Sequence, residues 1–169
     1  MFTSEIKKAV CNKRAAVIIP ITAQGEMLTL RRTHTCPKYP LHWNFPGGYV
    51  NVGERVLDGA VRELFEETGL CVNPNQLTYS FDYVERLFGI PNTHIFVFTL
   101  ACSRKFVPFI HRNTCNTCFG SNKEKILEHD LYFWSSLQSV PLPATPGTLV
   151  VAQALNNKHR SNTHRSNSK

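Results

Sequence analysis

The chain has 169 residues, of which 42% are hydrophobic and 18% are charged, as is ordinary for one folded domain that buries a core. No apolar run reaches the roughly 18 residues that cross a bilayer, and the polar start of the chain lacks the apolar stretch of a signal peptide. We therefore expect a cytoplasmic protein without a membrane partner. Its net charge of +7 favours anionic partners, which include both nucleotides and nucleic acid.

The first half of the chain predicts a hairpin followed by a helix. Two apolar runs, 15–21 and 27–31, flank a Gln-Gly turn and predict paired strands. A proline-containing loop leads into WNFPGGYV, a short strand that the Pro-Gly-Gly step interrupts. Residues 51–68 predict a loop and then a helix, and Gly69 is placed to end that helix as a left-handed cap.

The second half predicts more strands and a closing helix. Residues 77–87 and 94–101 are expected to be strands, the second of them central because it is nearly all apolar. The basic segment 103–125 is longer than usual connections between strands. It either closes over an anionic substrate or is a mobile surface insertion. Residues 130–134 predict a strand and 147–155 a short helix.

These elements divide the chain into an N-terminal segment (1–13), one domain (14–155) and a basic tail (156–169). The tail has no apolar residue, so we expect it to be disordered. Its positive charge also makes it a candidate for binding RNA. The oligomeric state stays open.

The predicted helix carries three glutamates, Glu63, Glu66 and Glu67, which the i, i+3, i+4 spacing places on one face. Crowded carboxylates repel one another, and a divalent cation relieves that repulsion. Oxygen ligands suit Mg²⁺ or Mn²⁺, and the adjacent Arg62 can orient one of the carboxylates. A solvated helix face would also explain glutamates alone. We expect a different arc of the helix to pack on a sheet, formed by Leu57, Val61, Leu64 and Phe65.

The residues around the glutamates decide between these interpretations. Gly48 is followed after five residues by Glu54, and after seven more by Arg62-Glu63-Leu64-Phe65-Glu66-Glu67-Thr68-Gly69-Leu70. This spacing matches the Nudix box at every specified position, and the chain resembles the Nudix hydrolase superfamily. The resemblance extends to the Phe-Pro-Gly-Gly lead-in, to Arg31-Arg32 and to Glu128-His129-Asp130, and covers roughly residues 14–142.

The resemblance implies an α/β fold, strictly α+β, in which a mixed central sheet lies between helices as an α/β/α sandwich. It implies Mg²⁺-dependent hydrolysis of a phosphoanhydride in a nucleoside diphosphate linked to another group, with a small nucleotide as substrate. One alternative is action on capped or triphosphorylated RNA 5′ ends, which the positive charge favours. Another is a non-catalytic nucleotide-binding domain, although the box is intact.

The resemblance also implies roles for individual residues. The metal ligands would be Glu63, Glu66, Glu67 and the carbonyl of Gly47, with Glu54 joining directly or through water. Arg62 would orient the carboxylates. A general base from a later loop would be Glu128 first, with Glu124 next and His129 as a weaker candidate. Arg31 and Arg32 alternate along a strand, so we expect one of them to face the substrate and the other to face solvent. Gly48 and Trp43 are the other candidates for contact with the substrate, although Trp43 could equally be a core residue.

Cysteines and aromatic residues give weaker signals. With no export signal, the six cysteines are expected to be reduced. Cys115 and Cys118 form one C-x-x-C pair, which with Cys102 or His111 could hold zinc, but free thiols are the favoured interpretation because a second pair is missing. Three aromatic residues, Tyr39, Trp43 and Phe88, could stack on a base, and core packing is the favoured interpretation for Phe88.

Overall fold

A computed structural model describes residues 13–87, 89–110, 114–119 and 125–166. Nine strands and two α-helices occur in this part of the chain. They are β1 (Lys13–Thr22), β2 (Glu26–Arg32), β3 (Trp43–Asn44), β4 (Gly47–Tyr49), α1 (Val56–Thr68), β5 (Leu77–Leu87), β6 (Ile90–Cys102), β7 (Thr114–Phe119), β8 (Lys125–Leu127), β9 (His129–Ser136) and α2 (Pro146–Ser166). No helix of the described residues is long and apolar enough to cross a membrane.

Seven strands form a mixed sheet. Its path runs β3-β2-β1-β6-β5, while β4 pairs with β1 and β9 pairs with β2. The β1–β6 pair is parallel over its whole length, and the other pairs are antiparallel. The parallel pair is buried on both faces, which explains why both strands are almost continuously apolar in sequence.

Helix α1 covers one face of the sheet with a different side from the one its sequence suggests. Ala60 and Leu64 are fully buried against Ala16 and Ile18 of β1. In contrast, Leu57 is 38% and Phe65 52% exposed, so the expected apolar arc is wrong at these two positions. The physical reason is close approach: the small side chain of Ala60 lets the helix lie near the sheet, which turns Phe65 outward.

Helix α2 covers the other face. Val151 and Ala152 pack in a cluster with Ile19 of β1 and Val97 of β6. The α/β/α sandwich with a mixed central sheet is therefore confirmed. The two cores, one on each face, fix the sheet between the helices.

The end of α2 differs from its prediction. A short helix over 147–155 and a disordered tail from residue 156 were expected, but the helix continues to Ser166. The structure thus corrects the disorder prediction for 156–166. Part of the reason lies in Lys158, whose amine donates to the carbonyl of Ser80 and lies 5.3 Å from the Phe81 ring centre, so a contact with β5 supports the polar turns.

The segment 103–125 is less irregular than expected. Phe106 and Ile110 pack beside Leu28 of β2 and Trp134 of β9, and the Trp134 indole donates to the Phe106 carbonyl at 3.1 Å. Later in the segment, β7 and β8 form a separate two-stranded sheet. Glu124, Phe88 and the side chains of the C-x-x-C pair, Cys115 and Cys118, lie outside the described residues, so the zinc hypothesis stays untested.

Candidate metal-binding and catalytic site

Strand β4 begins with two adjacent glycines on which the site depends. At Gly47 the φ angle is 147°, and a Cβ there would lie 2.2 Å from the Ala16 carbonyl oxygen. The backbone of β4 therefore approaches β1 more closely than a side chain permits. A Cβ on Gly48 would instead meet the Glu63 carboxyl, whose Oε2 would be 2.5 Å away. The carboxyl of Glu63 therefore fills the space that a side chain would occupy at Gly48.

Arg62 joins the carboxylates of the box. Its guanidinium donates to both oxygens of Glu54, at 2.9 and 3.0 Å, and to Glu63 at 2.8 Å. A longer bond of 3.3 Å reaches Glu66, and another of 3.0 Å reaches the Tyr49 carbonyl. Hydrogen bonding to Arg62 lowers the pKa of Glu54 below its usual value. Charge-assisted bonds from one planar group thus fix the relative positions of three carboxylates.

Glu67 is the most buried of the box glutamates, with 3% of its surface exposed. Its Oε2 accepts a hydrogen bond of 2.8 Å from the backbone N–H of Gly47. Burial raises the pKa of Glu67 well above its usual range, and the nearby charge of Glu128 raises it further. Burial likewise raises the pKa of Glu63 to about 6. The site therefore disfavours negative charge on these two carboxyls in the absence of a cation.

Two residues from the start of β9 approach the box glutamates from the sheet. Glu128 pairs with Arg32 at 3.0 Å. His129 is fully buried, and its Nε2 lies 3.1 Å from Oδ1 of Asn44, whose own amide N–H donates to the Phe45 carbonyl. Nε2 therefore carries the proton, since it faces an acceptor. The remaining nitrogen, Nδ1, has no hydrogen-bond partner among the described residues.

The neutral state of His129 follows from its surroundings. Burial lowers the pKa of His129 to about 3, and the charge of Arg32 acts in the same direction. Its Nδ1 lies 4.0 Å from Oε1 of Glu67. This places a nitrogen lone pair beside a carboxyl, an arrangement that only a proton or a cation makes favourable.

The side chains around this point fit a divalent cation. Glu67, Glu128 and His129 each offer one ligand atom, and these atoms lie within 4.8 Å of one another. The Nδ1 atom has no hydrogen-bond partner among the described residues, and burial raises the pKa values of Glu63 and Glu67, so a cation bound here would stabilise the charged carboxylates. Most of the donors are carboxylate oxygens, which suit a hard cation.

A cavity of about 180 Å³ adjoins the carboxylates on the α2 side of the sheet. Gly47 and Arg32 connect the cavity with the acidic cluster. Both line the cavity, and Gly47 also contacts Glu67 while Arg32 contacts Glu128. The remaining lining residues come from four strands, the connections between elements and α2: Val17, Tyr39, Asn44, Phe45, Tyr83, Glu85, Ile95, Thr145, Pro146, Gly147, Thr148 and Val151. A molecule held there would extend from an apolar cavity to the acidic cluster.

The structure separates the residues predicted to contact substrate. Arg32 lines the cavity, whereas Arg31 forms a two-bond ion pair with Asp130 at 2.9 and 3.0 Å. Trp43 does not line the cavity, because its ring packs edge-on against Phe133 at 6.2 Å. A contact of Trp43 with the substrate stays a prediction. Tyr39 and Phe45 are the aromatic residues of this region that line the cavity.

Several cavity residues have no counterpart among the predictions. Asn44 is one, although it stands directly before the Phe-Pro-Gly-Gly lead-in. Tyr83 and Glu85 are two others, and alternation along the predicted strand 77–87 would have placed them on one face. Residues 145–148 carry no sequence signal for this position, since only the packing of α2 brings them to the sheet.

Comparisons with known proteins agree with this geometry. A family model described as NUDIX domain matches residues 12–146. The m7GpppN-mRNA hydrolase NUDT17 of Homo sapiens is 37% identical over 92 residues, which cover 50% of this chain and 28% of that protein. The chain spans between 18% and 30% of the length of the NUDT17 relatives that it matches. The RNA pyrophosphohydrolase of Bartonella bacilliformis is 27% identical over 139 residues, covering 76% of this chain and 80% of that protein.

Solved structures show the same fold. A MutT NUDIX hydrolase from Burkholderia pseudomallei superposes with a TM-score of 0.62 at 18% identity, covering 84% of this chain and 96% of that one. A C. elegans Ap4A hydrolase in a binary complex gives a TM-score of 0.55 at 19% identity and covers 89% and 98% of the two chains. At such identities the likeness concerns the fold alone.

Proposed function

The chain belongs to the Nudix family, and we propose that it is a hydrolase of phosphorus-containing anhydrides whose substrate is a nucleoside diphosphate linked to a further group. The observation that carries this proposal is the junction of the acidic cluster and the cavity at Gly47 and Arg32. A base held in the cavity would direct its phosphates toward Glu67 and Glu128. The reaction adds water to one phosphorus and breaks the bridging P–O bond.

We assign the metal to the box carboxylates. Glu63, Glu66 and Glu67 would hold Mg²⁺ or Mn²⁺, joined by the Gly47 carbonyl, with Glu54 acting directly or through water. When bound, such an ion neutralises charge on the phosphate oxygens and makes a coordinated water more acidic. Arg62 keeps the carboxylates in place through its bonds to Glu54 and Glu63.

Glu128 is the candidate for the general base. Its carboxylate is held by Arg32 at 3.0 Å and lies within 4.8 Å of a ligand atom of Glu67. It would accept one proton from the attacking water as the oxygen bonds to phosphorus. His129 is a weaker candidate, because its low pKa and its buried position suit a neutral neighbour that positions Glu67.

The size of the cavity fits a single base. Its volume of about 180 Å³ is below the roughly 300 Å³ at which pockets for drug-sized ligands begin. One base therefore fills it, and the sugar and phosphates lie outside, toward the carboxylates. This arrangement leaves the group beyond the phosphates unrestricted by the cavity.

RNA 5′ ends form the second candidate substrate. The names of the relatives, m7GpppN-mRNA hydrolase and RNA pyrophosphohydrolase, favour it, and so does the net charge of +7. Cleavage at an RNA end is the same reaction with a polynucleotide as the linked group. A base at the 5′ end would occupy the same cavity.

A substrate panel with Mg²⁺ tests the proposal. It would include nucleoside triphosphates, dinucleoside polyphosphates, ADP-ribose, nucleotide sugars, cap analogues and capped RNA. We expect hydrolysis of at least one compound and a loss of turnover of about 100-fold or more in Glu67→Gln. The matched control is Glu26→Gln, because Glu26 pairs with Lys105 at the far end of β2. Full turnover in a folded Glu67→Gln protein would contradict the assignment, and nucleotide binding without any hydrolysis would favour the binding-domain alternative.

A further inference from the structure

The charged and amide side chains that line the cavity are already used among the described residues, with the exception of one carboxylate. Arg32 donates to Glu128 at 3.0 Å and to the Lys38 carbonyl at 2.9 Å. The Asn44 side chain is bonded to Phe45 and His129. These groups are therefore engaged in holding the wall and the acidic cluster.

Glu85 is the exception. It lines the cavity and is exposed at its mouth. Among the residues that the structure describes, no cation or N–H group forms a hydrogen bond or ion pair with its carboxylate. A carboxylate at the rim of an apolar cavity loses part of its hydration when a ligand enters, and so it requires a donor from that ligand.

The strand register places Glu85 beside an aromatic ring. Tyr83 pairs with Ile95 and Glu85 with Thr93, so alternation along β5 puts both side chains on the α2 side of the sheet. The two side chains also interact electrostatically. Burial raises the pKa of Tyr83 to about 12, and the negative charge of Glu85 contributes to that rise. Tyr83 and Tyr39 both line the cavity, where a planar base has aromatic surface to contact.

We propose that Glu85 selects guanine as the base of the substrate. A carboxylate has only acceptors, and the Watson–Crick edge of guanine presents two adjacent donors, N1–H and the 2-amino group. The two oxygens of Glu85 can accept both hydrogens at once. Adenine presents one donor beside the lone pair of its N1, which would face the carboxylate unpaired. The inference rests on the proposed function only for placing the base in this cavity.

Nucleoside monophosphates provide the test, because they contain no anhydride and are not consumed. We would measure by calorimetry the binding of GMP, IMP and AMP to the full chain with Mg²⁺. A good two-bond contact discriminates by about 10- to 100-fold, so we expect GMP to bind more tightly than AMP by that factor. IMP, which lacks the 2-amino group, should fall between them.

The variant Glu85→Gln changes this order in a defined direction. Its amide has one acceptor and one donor, so it cannot accept both N1–H and the 2-amino group; the preference for GMP over AMP should fall, and the preference for GMP over IMP should disappear. Glu26→Gln, the same substitution at the start of β2 and outside the cavity, should keep the wild-type order. Equal affinity of the wild type for GMP and AMP, no binding of any monophosphate at millimolar concentration, or an order unchanged in Glu85→Gln would each overturn the inference.

Hydrolysis separates this inference from the function on which it rests. The ratio of kcat/KM between matched guanine and adenine anhydrides would be measured for the wild type and Glu85→Gln. If the anhydrides are hydrolysed but the ratio of kcat/KM is the same in the wild type and in Glu85→Gln, the proposed function stands and the guanine assignment is overturned. A GMP preference that depends on Glu85, without hydrolysis of any anhydride, supports the assignment and overturns the proposed function.

Discussion

Replacing Gly48 with alanine perturbs the acidic cluster without changing any of its charges. The new Cβ would lie 2.5 Å from Oε2 and 2.6 Å from Cδ of Glu63. Ordinary contact begins at 3.4 Å, so the carboxyl must retreat by about 0.9 Å. Because that carboxyl is the end of a flexible side chain and Gly48 has no positive φ, the backbone can stay in place.

The size of the expected effect follows from this displacement. A misplacement of about 1 Å at a reacting centre costs roughly 100-fold in rate, or about 2.7 kcal/mol of activation free energy. We therefore expect kcat to fall by about that factor and the Mg²⁺ concentration at half-maximal rate to rise. The assay is initial-rate hydrolysis of the best substrate over a Mg²⁺ titration, with the melting temperature measured in parallel.

Two other glycines serve as controls for Gly48→Ala. Gly25 has a φ of 78° and nothing within 4 Å of an added Cβ, so Gly25→Ala should lose about 1 kcal/mol of stability and keep its Mg²⁺ dependence. Gly47→Ala meets the backbone of Ala16 and should fail to fold. A Gly48→Ala protein with wild-type kcat and wild-type Mg²⁺ dependence would refute the reasoning that the position of the Glu63 carboxyl matters.

Three further predictions concern stability, metal and substrate. Leu64→Ala should cost about 2–5 kcal/mol of unfolding free energy in urea, and Leu57→Ala clearly less, because Leu64 is fully buried and Leu57 is not. Without metal, Glu63 stays protonated in the folded protein up to about pH 6, whereas the unfolded chain releases this proton near pH 4.5. The free energy of unfolding should therefore fall by about 2 kcal/mol as the pH rises through this window. Mg²⁺ competes with that proton and should raise the melting temperature more at about pH 8 than at about pH 5, and an equal rise would contradict this linkage. If RNA ends are the substrate, a chain ending at Lys158 should lose activity on capped RNA and keep its activity on the cap analogue. If the truncated chain hydrolyses capped RNA as fast as the full chain does, the tail has no role in binding RNA.

The sequence determined the elements that local chemistry specifies. The Gly69 cap, at a φ of 71°, ends α1 where the sequence predicts, because a left-handed residue is a local requirement. The spacing of Glu63, Glu66 and Glu67 needs only helical geometry, and Arg62 reaches Glu63 and Glu66 from the same helix. Strands β1 and β6 were recognisable because a strand buried on both faces has a continuous apolar run.

Tertiary packing decided which side of each element is used. Phe65 is exposed because the small residues of α1 allow close approach to the sheet, a contact that helical periodicity alone does not reveal. Trp43 packs edge-on against Phe133, a contact that pairing of β2 with β9 produces and that the sequence did not indicate. The last turns of α2 are helical, where composition alone predicted disorder, and part of their support is the contact of Lys158 with β5.

The candidate site divides in the same way. The carboxylates of the box lie within about twenty residues of sequence, so their chemistry could be inferred from spacing. The cavity joins Arg32, Gly47, Glu85 and Thr148, which are far apart along the chain and meet only through strand pairing and the packing of α2. Hence the sequence by itself predicted the kind of bond that is broken. The side chains that would contact the base are brought together only by the folded sheet, because their positions depend on long-range contacts and not on local backbone preference.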